Sequence, residues 1–203
     1  MTKSKEGIMR NFILDCAESL FTQSGYKNTS MDKIAEKCQI SKPTLYNYFP
    51  SKPALFIGLY TRFQAAMMER GRAIMAQEKD KYRIIEEIID IAIEMLQEKR
   101  DFLMMMVREH HMAVHDFADI QEHMEAELRR RQETARVFGE FMRDIVRPEV
   151  LEEFSAEMIG MALSTLLEGA FWDTVKGEFN DHEKQKKLIM RLLKNGILAE
   201  EAR

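Results

Sequence analysis

His111, His115, Asp119 and His123 follow one another at four-residue steps. Neighbouring pairs at that spacing share a helix face and can offer imidazole or carboxylate ligands to a transition metal. Each step drifts by about 40° around a straight helix, and the run crosses a break near Asp116, so all four cannot converge on one ion. The metal chemistry open to the sequence therefore reduces to His111 and His115. A glycine-rich phosphate loop, a nucleophile elbow and paired Glu-x-x-His motifs are missing from the sequence. An enzyme is not expected, and no cofactor is implied.

A different chemistry lies just after Ser41. Thr44 and Tyr46 bring a hydroxyl, a methyl and an aromatic edge, which can meet thymine methyls and base acceptors, while Lys42 can reach guanine or phosphate. Such groups read a base sequence only if a rigid element presents them together.

The elements that could do so are helices. Only 4 prolines and 9 glycines occur in 203 residues, and apolar residues recur at spacings of three and four almost throughout, while no segment alternates like a strand. Ile8, Phe12, Ile13, Cys16, Ala17, Leu20 and Phe21 make one stripe, ending at Ser24-Gly25. Ser30 can cap a short helix that turns Met31, Ile34, Ala35 and Cys38 inward. After Gln39-Ile40, Ser41 caps again and Pro43 sits in the first turn, where its missing N–H is harmless. Pro50 stops this third helix after about two turns. A fourth helix is predicted from Ser51 to about Ala76, and further helices over 81–98, 100–115, 117–145, 150–176 and 182–197, making an all-α chain of about nine helices. Cys16 and Cys38 fall on apolar positions, the ordinary place of a buried thiol, and are expected not to pair.

Two short capped helices joined by a three-residue turn match the helix-turn-helix plan, whose second helix enters the DNA major groove. The whole stretch from Thr29 to Phe56, TSMDKIAEKCQISKPTLYNYFPSKPALF, closely resembles the signature of TetR-family regulators. The resemblance extends by motif over residues 8 to about 63. It implies a helix-turn-helix DNA-binding domain over residues 1–50 and a helical ligand-binding and dimerisation domain over 51–203, connected by the helix at about 51–76. It also implies a DNA-contact set of Ser30, Lys42, Pro43, Thr44, Tyr46, Asn47, Tyr48 and Lys52. Of these, Asn47, Tyr48 and Lys52 resemble family positions that bind backbone phosphates and so set register, not sequence. The competing reading makes Tyr48 a packing residue and Lys42 and Lys52 solvated charges; Leu45 and Phe49 are core on both.

Two positions depart from the family pattern. Gln39 stands where glycine is usual in the turn, a left-handed site that costs another residue about 1 kcal/mol or more. Asp32 stands where some members place a basic residue that touches a base. A carboxylate there suits the helix dipole or accepts from cytosine, and Asp32 is left outside the expected contact set.

Charge agrees with a local DNA contact. The net charge of −4 argues against a chain that coats nucleic acid indiscriminately. Residues 1–55 carry 8 Lys/Arg against 5 Asp/Glu, leaving 22 against 29 in the remainder, or +3 and −7. The start MTKSKEGIMRNF lacks the apolar run of a signal peptide, and no stretch approaches the roughly 18 uncharged residues of a membrane span, so a soluble cytoplasmic protein is expected.

The later helices are rich in methionine and aromatic residues, which suit an adaptable apolar pocket. Stripes of Met and Phe at helical spacing more often form plain core, so the pocket is implied by the resemblance. Its expected lining is Phe102, Met105, Met106, Glu109, Met112, Phe138, Met142, Met161, Glu168 and Trp172. Phe154, Met158, Met161, Leu166 and Ala170, with Leu188, Leu192, Leu193 and Ile197, resemble the family's dimerising pair of helices. A two-fold dimer implies a palindromic operator with half-sites about one helical turn apart. The expected function is a homodimeric repressor released from operator DNA by a small, largely apolar effector. The alternatives are a metal-responsive regulator using His111 and His115, and a helical ligand-binding protein without a DNA role.

Overall fold

The computed structural model describes residues 5–77, 80–106, 120–176 and 181–198, and their side chains except at 120–124, 126–127, 168 and 170–176. Ten helical segments occur among the described residues. They are α1 (Lys5–Ser24), α2 (Met31–Cys38), α3 (Lys42–Tyr48), α4 (Lys52–Met75), α5 (Lys81–Glu98), α6 (described over 100–106), α7 (Ile120–Met142), α8 (Pro148–Glu153), α9 (Ala156–Lys176) and α10 (His182–Gly196). No named strand lies among the described residues; Val146 and Leu198 form one isolated antiparallel bridge. The chain is therefore all-α.

The expected helix over 150–176 is two helices. Phe154 adopts an extended conformation, φ −124° and ψ 136°, and closes α8. Ser155 then starts α9 by accepting from the Met158 amide at 3.2 Å, satisfying one of the amides a helix start leaves unpaired. The helix expected to reach residue 145 ends at Met142.

The chain divides into two compact units, Met1–Ala66 with Lys99–Ala118, and Met67–Glu98 with Asp119–Arg203. The boundary falls inside α4. In the first unit, Ile13, Leu14, Ala17, Phe21, Ile34, Leu45, Phe49, Leu55 and Leu59 are buried, and each such Leu, Ile or Phe contributes roughly 1.5–3 kcal/mol by leaving water. Phe21, Tyr26 and Phe56 pack ring against ring, with centroids 5.2–6.4 Å apart. That cluster ties the end of α1 to α4. Buried Thr29 donates to the Gly25 carbonyl at 2.9 Å, holding the link between α1 and α2.

An ionic network adds to this packing. Arg62 of α4 donates to Asp15 and Glu18 of α1, each at 2.7 Å. Glu18 also accepts from Lys99, at the start of α6, at 2.6 Å. The Glu18 side chain is only 19% exposed, so the loss of both cations would leave a poorly solvated carboxylate without a counter-charge.

In the second unit the apolar stripe of α5 turns Ile85 and Ile89 into a core shared with Met142 of α7, Ile159 and Leu163 of α9, and Ile189, Met190 and Leu193 of α10. Helices α7 and α9 cross with little between them but backbone: a Cβ on Gly139 would collide with the Ala156 carbonyl, and one on Gly160 with that of Ala135. Met158, Met161 and Leu166 of α9 and Leu188 and Leu192 of α10 are apolar yet exposed, with Phe154 nearby in sequence. Leu193, expected on that surface, is buried instead, and Ile197 is half-buried against the same core. No helix among the described residues is long and apolar enough to cross a membrane.

Candidate nucleic-acid interface

Ser30 and Ser41 build the two helices of the motif from their first turns. Ser30 Oγ accepts from the Lys33 amide, and Ser41 Oγ from the Thr44 amide, both at 3.2 Å. Ser41 Oγ also lies 2.7 Å from Thr44 Oγ1, so part of the Thr44 hydrogen-bonding capacity is engaged within α3. Between the helices Gln39 takes φ 55° and ψ 39°, the left-handed conformation that ends α2, and the Ile40 amide donates to the Ala35 carbonyl at 3.1 Å. The chain thus reverses at a residue that bears a side chain where glycine is better suited.

Helix α3 is fastened by its apolar side and open on the other. Leu45 and Phe49 are buried, whereas Lys42, Pro43, Tyr46 and Asn47 are exposed and Thr44 and Tyr48 partly so. A row of exposed side chains on a short helix backed by two buried anchors is the geometry that major-groove reading requires. Ser30, also exposed, stands at the start of α2.

Two of the expected contact lysines already hold internal acceptors. Lys42 Nζ lies 2.6 Å from Asp32 Oδ2, joining the first turns of α2 and α3. Lys52 Nζ donates to the Tyr26 carbonyl at 2.9 Å and sits 4.2 Å from the centre of the Tyr26 ring. The Lys42–Asp32 pair, with both side chains 60% exposed, is weak enough for a phosphate to replace Asp32, since surface ion pairs contribute about 0–1 kcal/mol.

Arg10 carries no sequence signal of a role at this surface. From α1 it donates to the Tyr48 carbonyl at 3.1 Å, and its guanidinium lies 4.2 Å over the Phe49 ring. The last carbonyls of a helix have no partner within it and carry partial negative charge, so Arg10 closes the C-terminal end of α3. No local signal announces this: Arg10 is 38 residues from Tyr48.

Behind the interface, Cys16 and Cys38 are buried free thiols. Burial, helped by the neighbouring Cys16 thiol, pushes the Cys38 pKa up to about 12.

The residues expected to line an effector pocket are distributed over both units. Phe102, Met105 and Met106 are buried in the first. Phe138 and Met142 line a wholly apolar cavity of about 10 Å³ in the second, with Ile85, Leu163 and Ile189, a space no larger than one water. Met161 does not face the interior; it is 46% exposed on α9. Glu109, Met112, His111 and His115 lie outside the described residues, as do the side chains of Glu168 and Trp172. Among the described residues no group of three or more His, Cys, Asp or Glu could hold a metal ion.

Residues 13–59 match the family of bacterial regulatory proteins, tetR family. The uncharacterized HTH-type transcriptional regulator YuxN of Bacillus subtilis is 32% identical over 97 residues, 48% of this chain and 33% of YuxN. A second regulator described in the same terms, YvkB of the same organism, is 30% identical over 112 residues, 55% of this chain and 56% of YvkB. The chain thus matches between a third and just over half of the length of these relatives. Among solved structures, native NalD of Pseudomonas aeruginosa, the secondary repressor of the MexAB-OprM multidrug efflux pump, has a TM-score of 0.69. That likeness covers 97% of this chain and 100% of NalD at 18% identity, and shows a common fold. Residues 13–59 thus carry a domain of the tetR family of bacterial regulatory proteins, and the chain shares its fold with NalD.

Proposed function

We propose that this protein is a homodimeric, sequence-specific DNA-binding transcriptional regulator, acting in the cytoplasm as a repressor that a small, largely apolar effector releases from a palindromic operator. The observation that carries this reading is α3 itself: a helix capped by Ser41, anchored by Leu45 and Phe49, and exposing Lys42, Tyr46 and Asn47. Residues 1–50 bind DNA, and residues 51–203 bind the effector and dimerise, with α4 as the connection. Tyr46 and Thr44 meet base edges, while Asn47, Tyr48 and Lys52 hold phosphates and set register.

The exposed apolar residues of α9 and α10 support the dimer, because Met158, Met161, Leu166, Leu188 and Leu192 leave water only against another surface. Effector binding among the later helices displaces α4. Arg62 on α4 holds Asp15 and Glu18 of α1, so a shift of α4 draws on the helix whose Arg10 closes α3. A coupling of about 1–3 kcal/mol lowers operator affinity roughly 5- to 150-fold, and by linkage operator DNA lowers effector affinity by the same factor.

The test is selection of bound duplexes from a random pool, followed by anisotropy titration of the selected duplex with wild type and Tyr46→Ala at two salt concentrations. One enriched palindrome, with affinity lost in Tyr46→Ala, is expected. A pool that shows no enrichment even at low salt overturns the reading.

A further inference from the structure

The ion pair that joins the two helices of the motif differs in kind from the other lysine contacts around it. Lys33 donates to the Asn28 carbonyl and Lys37 to the Ser19 hydroxyl, each at 2.9 Å. Those acceptors are neutral, and a phosphate can take the ammonium from them without leaving a charge behind. Lys42 is held by the Asp32 carboxylate at 2.6 Å, with both side chains 60% exposed. When Lys42 turns to DNA, a full negative charge remains on the surface that meets the phosphates.

Asp32 is not needed to start its own helix. The Lys33 amide is satisfied by Ser30 Oγ at 3.2 Å, and the carboxylate reaches away to the first residue of α3. N-terminal residues of a recognition helix are the ones that meet base edges, so a carboxylate in contact with Lys42 stands at the same place. An unpaired anion there weakens binding to every duplex unless a base donor meets it. The major-groove donor suited to a carboxylate is the N4 amino group of cytosine.

Resting on the DNA-binding reading above, we propose that Asp32 is a specificity-determining residue, its carboxylate exchanging Lys42 for the N4 amino group of one cytosine in each half-site and repelling duplexes that lack it. Arbitrary DNA thus finds Lys42 occupied and an anion beside it. The right site frees Lys42 and satisfies Asp32 in one step.

The experiment uses the full chain, as wild type, Asp32→Asn and Asp32→Ala, with thermal melting to establish that each is folded. Each is put through selection from a random duplex pool, then titrated with the pool and with the wild-type operator. Asp32→Asn, which removes the charge at constant size, is expected to bind the pool about 3- to 10-fold more tightly. The wild-type consensus is expected to contain a cytosine at one position per half-site that Asp32→Ala, which has no acceptor, no longer selects. Replacing that C·G pair should weaken wild type about 5- to 150-fold and Asp32→Asn several-fold less.

Unchanged pool affinity and an unchanged consensus overturn the proposal. A uniform gain in affinity with the same cytosine still selected by Asp32→Ala also overturns it, since Asp32 is then a repulsive charge and nothing more. If wild type itself enriches no sequence, the DNA-binding reading fails first and takes this proposal with it.

Discussion

Gly160 of α9 lies so close to Gly139 of α7 that a Cβ on Gly160 would stand 2.7 Å from the Gly139 amide nitrogen and collide with the Ala135 carbonyl. Backbone cannot swing aside as a long side chain can, so the two helices must separate to admit even a methyl group. Overpacking of this kind costs about 1–3 kcal/mol, more than the roughly 1 kcal/mol that alanine gains over glycine in a helix. The net cost, up to about 2 kcal/mol, is expected to lower the melting temperature of Gly160→Ala by up to about 8 °C. An unchanged or raised melting temperature would show that the helices do not meet backbone to backbone.

At Gln39 the expectation has the opposite sign. The residue holds φ 55°, a conformation that costs a side-chain-bearing residue about 1–2 kcal/mol. Glycine removes that strain but gives the unfolded chain more freedom, about 0.4–1 kcal/mol in its favour. Gln39→Gly should raise the urea midpoint by the difference, up to about 1.6 kcal/mol in stability. A lowered midpoint refutes the strain argument.

Arg10 should matter to both stability and binding. Its contact with the Tyr48 carbonyl and its place over Phe49 together stabilise the end of α3 by about 1 kcal/mol. Arg10→Ala is expected to weaken operator binding several-fold through a less well held recognition helix. Arg10→Lys, lacking the planar fork, should restore only part of it. Equal operator affinity for Arg10→Ala and wild type, measured by anisotropy, removes Arg10 from the interface.

Leu188 and Leu192 are 52% and 53% exposed on α10. Leu192→Glu places a charge on the proposed dimer surface, where an unpaired buried charge is strongly unfavourable. Sedimentation at micromolar concentration should show wild type as a dimer and Leu192→Glu as a folded monomer. A variant that remains dimeric moves the interface elsewhere.

The Cys38 thiol, with its pKa pushed up to about 12 mainly by burial, should resist alkylation at pH 8 until denaturant unfolds the domain, because the thiolate is the reactive form. Its folded pKa lies above its unfolded value near 9.0. The stabilisation is thus complete below about pH 9 and is lost as pH rises toward 12. Compared with Cys38→Ala, wild type should lose more stability across that window; rapid labelling of the native protein at pH 8 contradicts the buried placement.

Much of the N-terminal half is legible in the sequence. Ser30, Ser41 and Pro43 act within one helical turn of themselves, and the left-handed turn at Gln39 follows from the short link between two capped helices. Local rules suffice there because the atoms involved are neighbours in sequence. The sequence also placed Leu45 and Phe49 inside, since a two-turn helix has only one face to bury. The break at Phe154 was missed although Ser155 carries the signal of a cap, because an unbroken apolar period runs through the site.

Tertiary structure decided what depends on partners far along the chain. Arg10 meets Tyr48 across 38 residues, Arg62 meets Glu18 across 44, and Gly139 and Gly160 reveal their purpose only when two helices cross. The period of α10 marks Leu188, Leu192 and Leu193 alike as apolar, yet Leu193 is buried and the other two face outward. An apolar stripe states that a face must leave water. Which neighbour covers it is settled by packing, because the hydrophobic effect has no direction of its own.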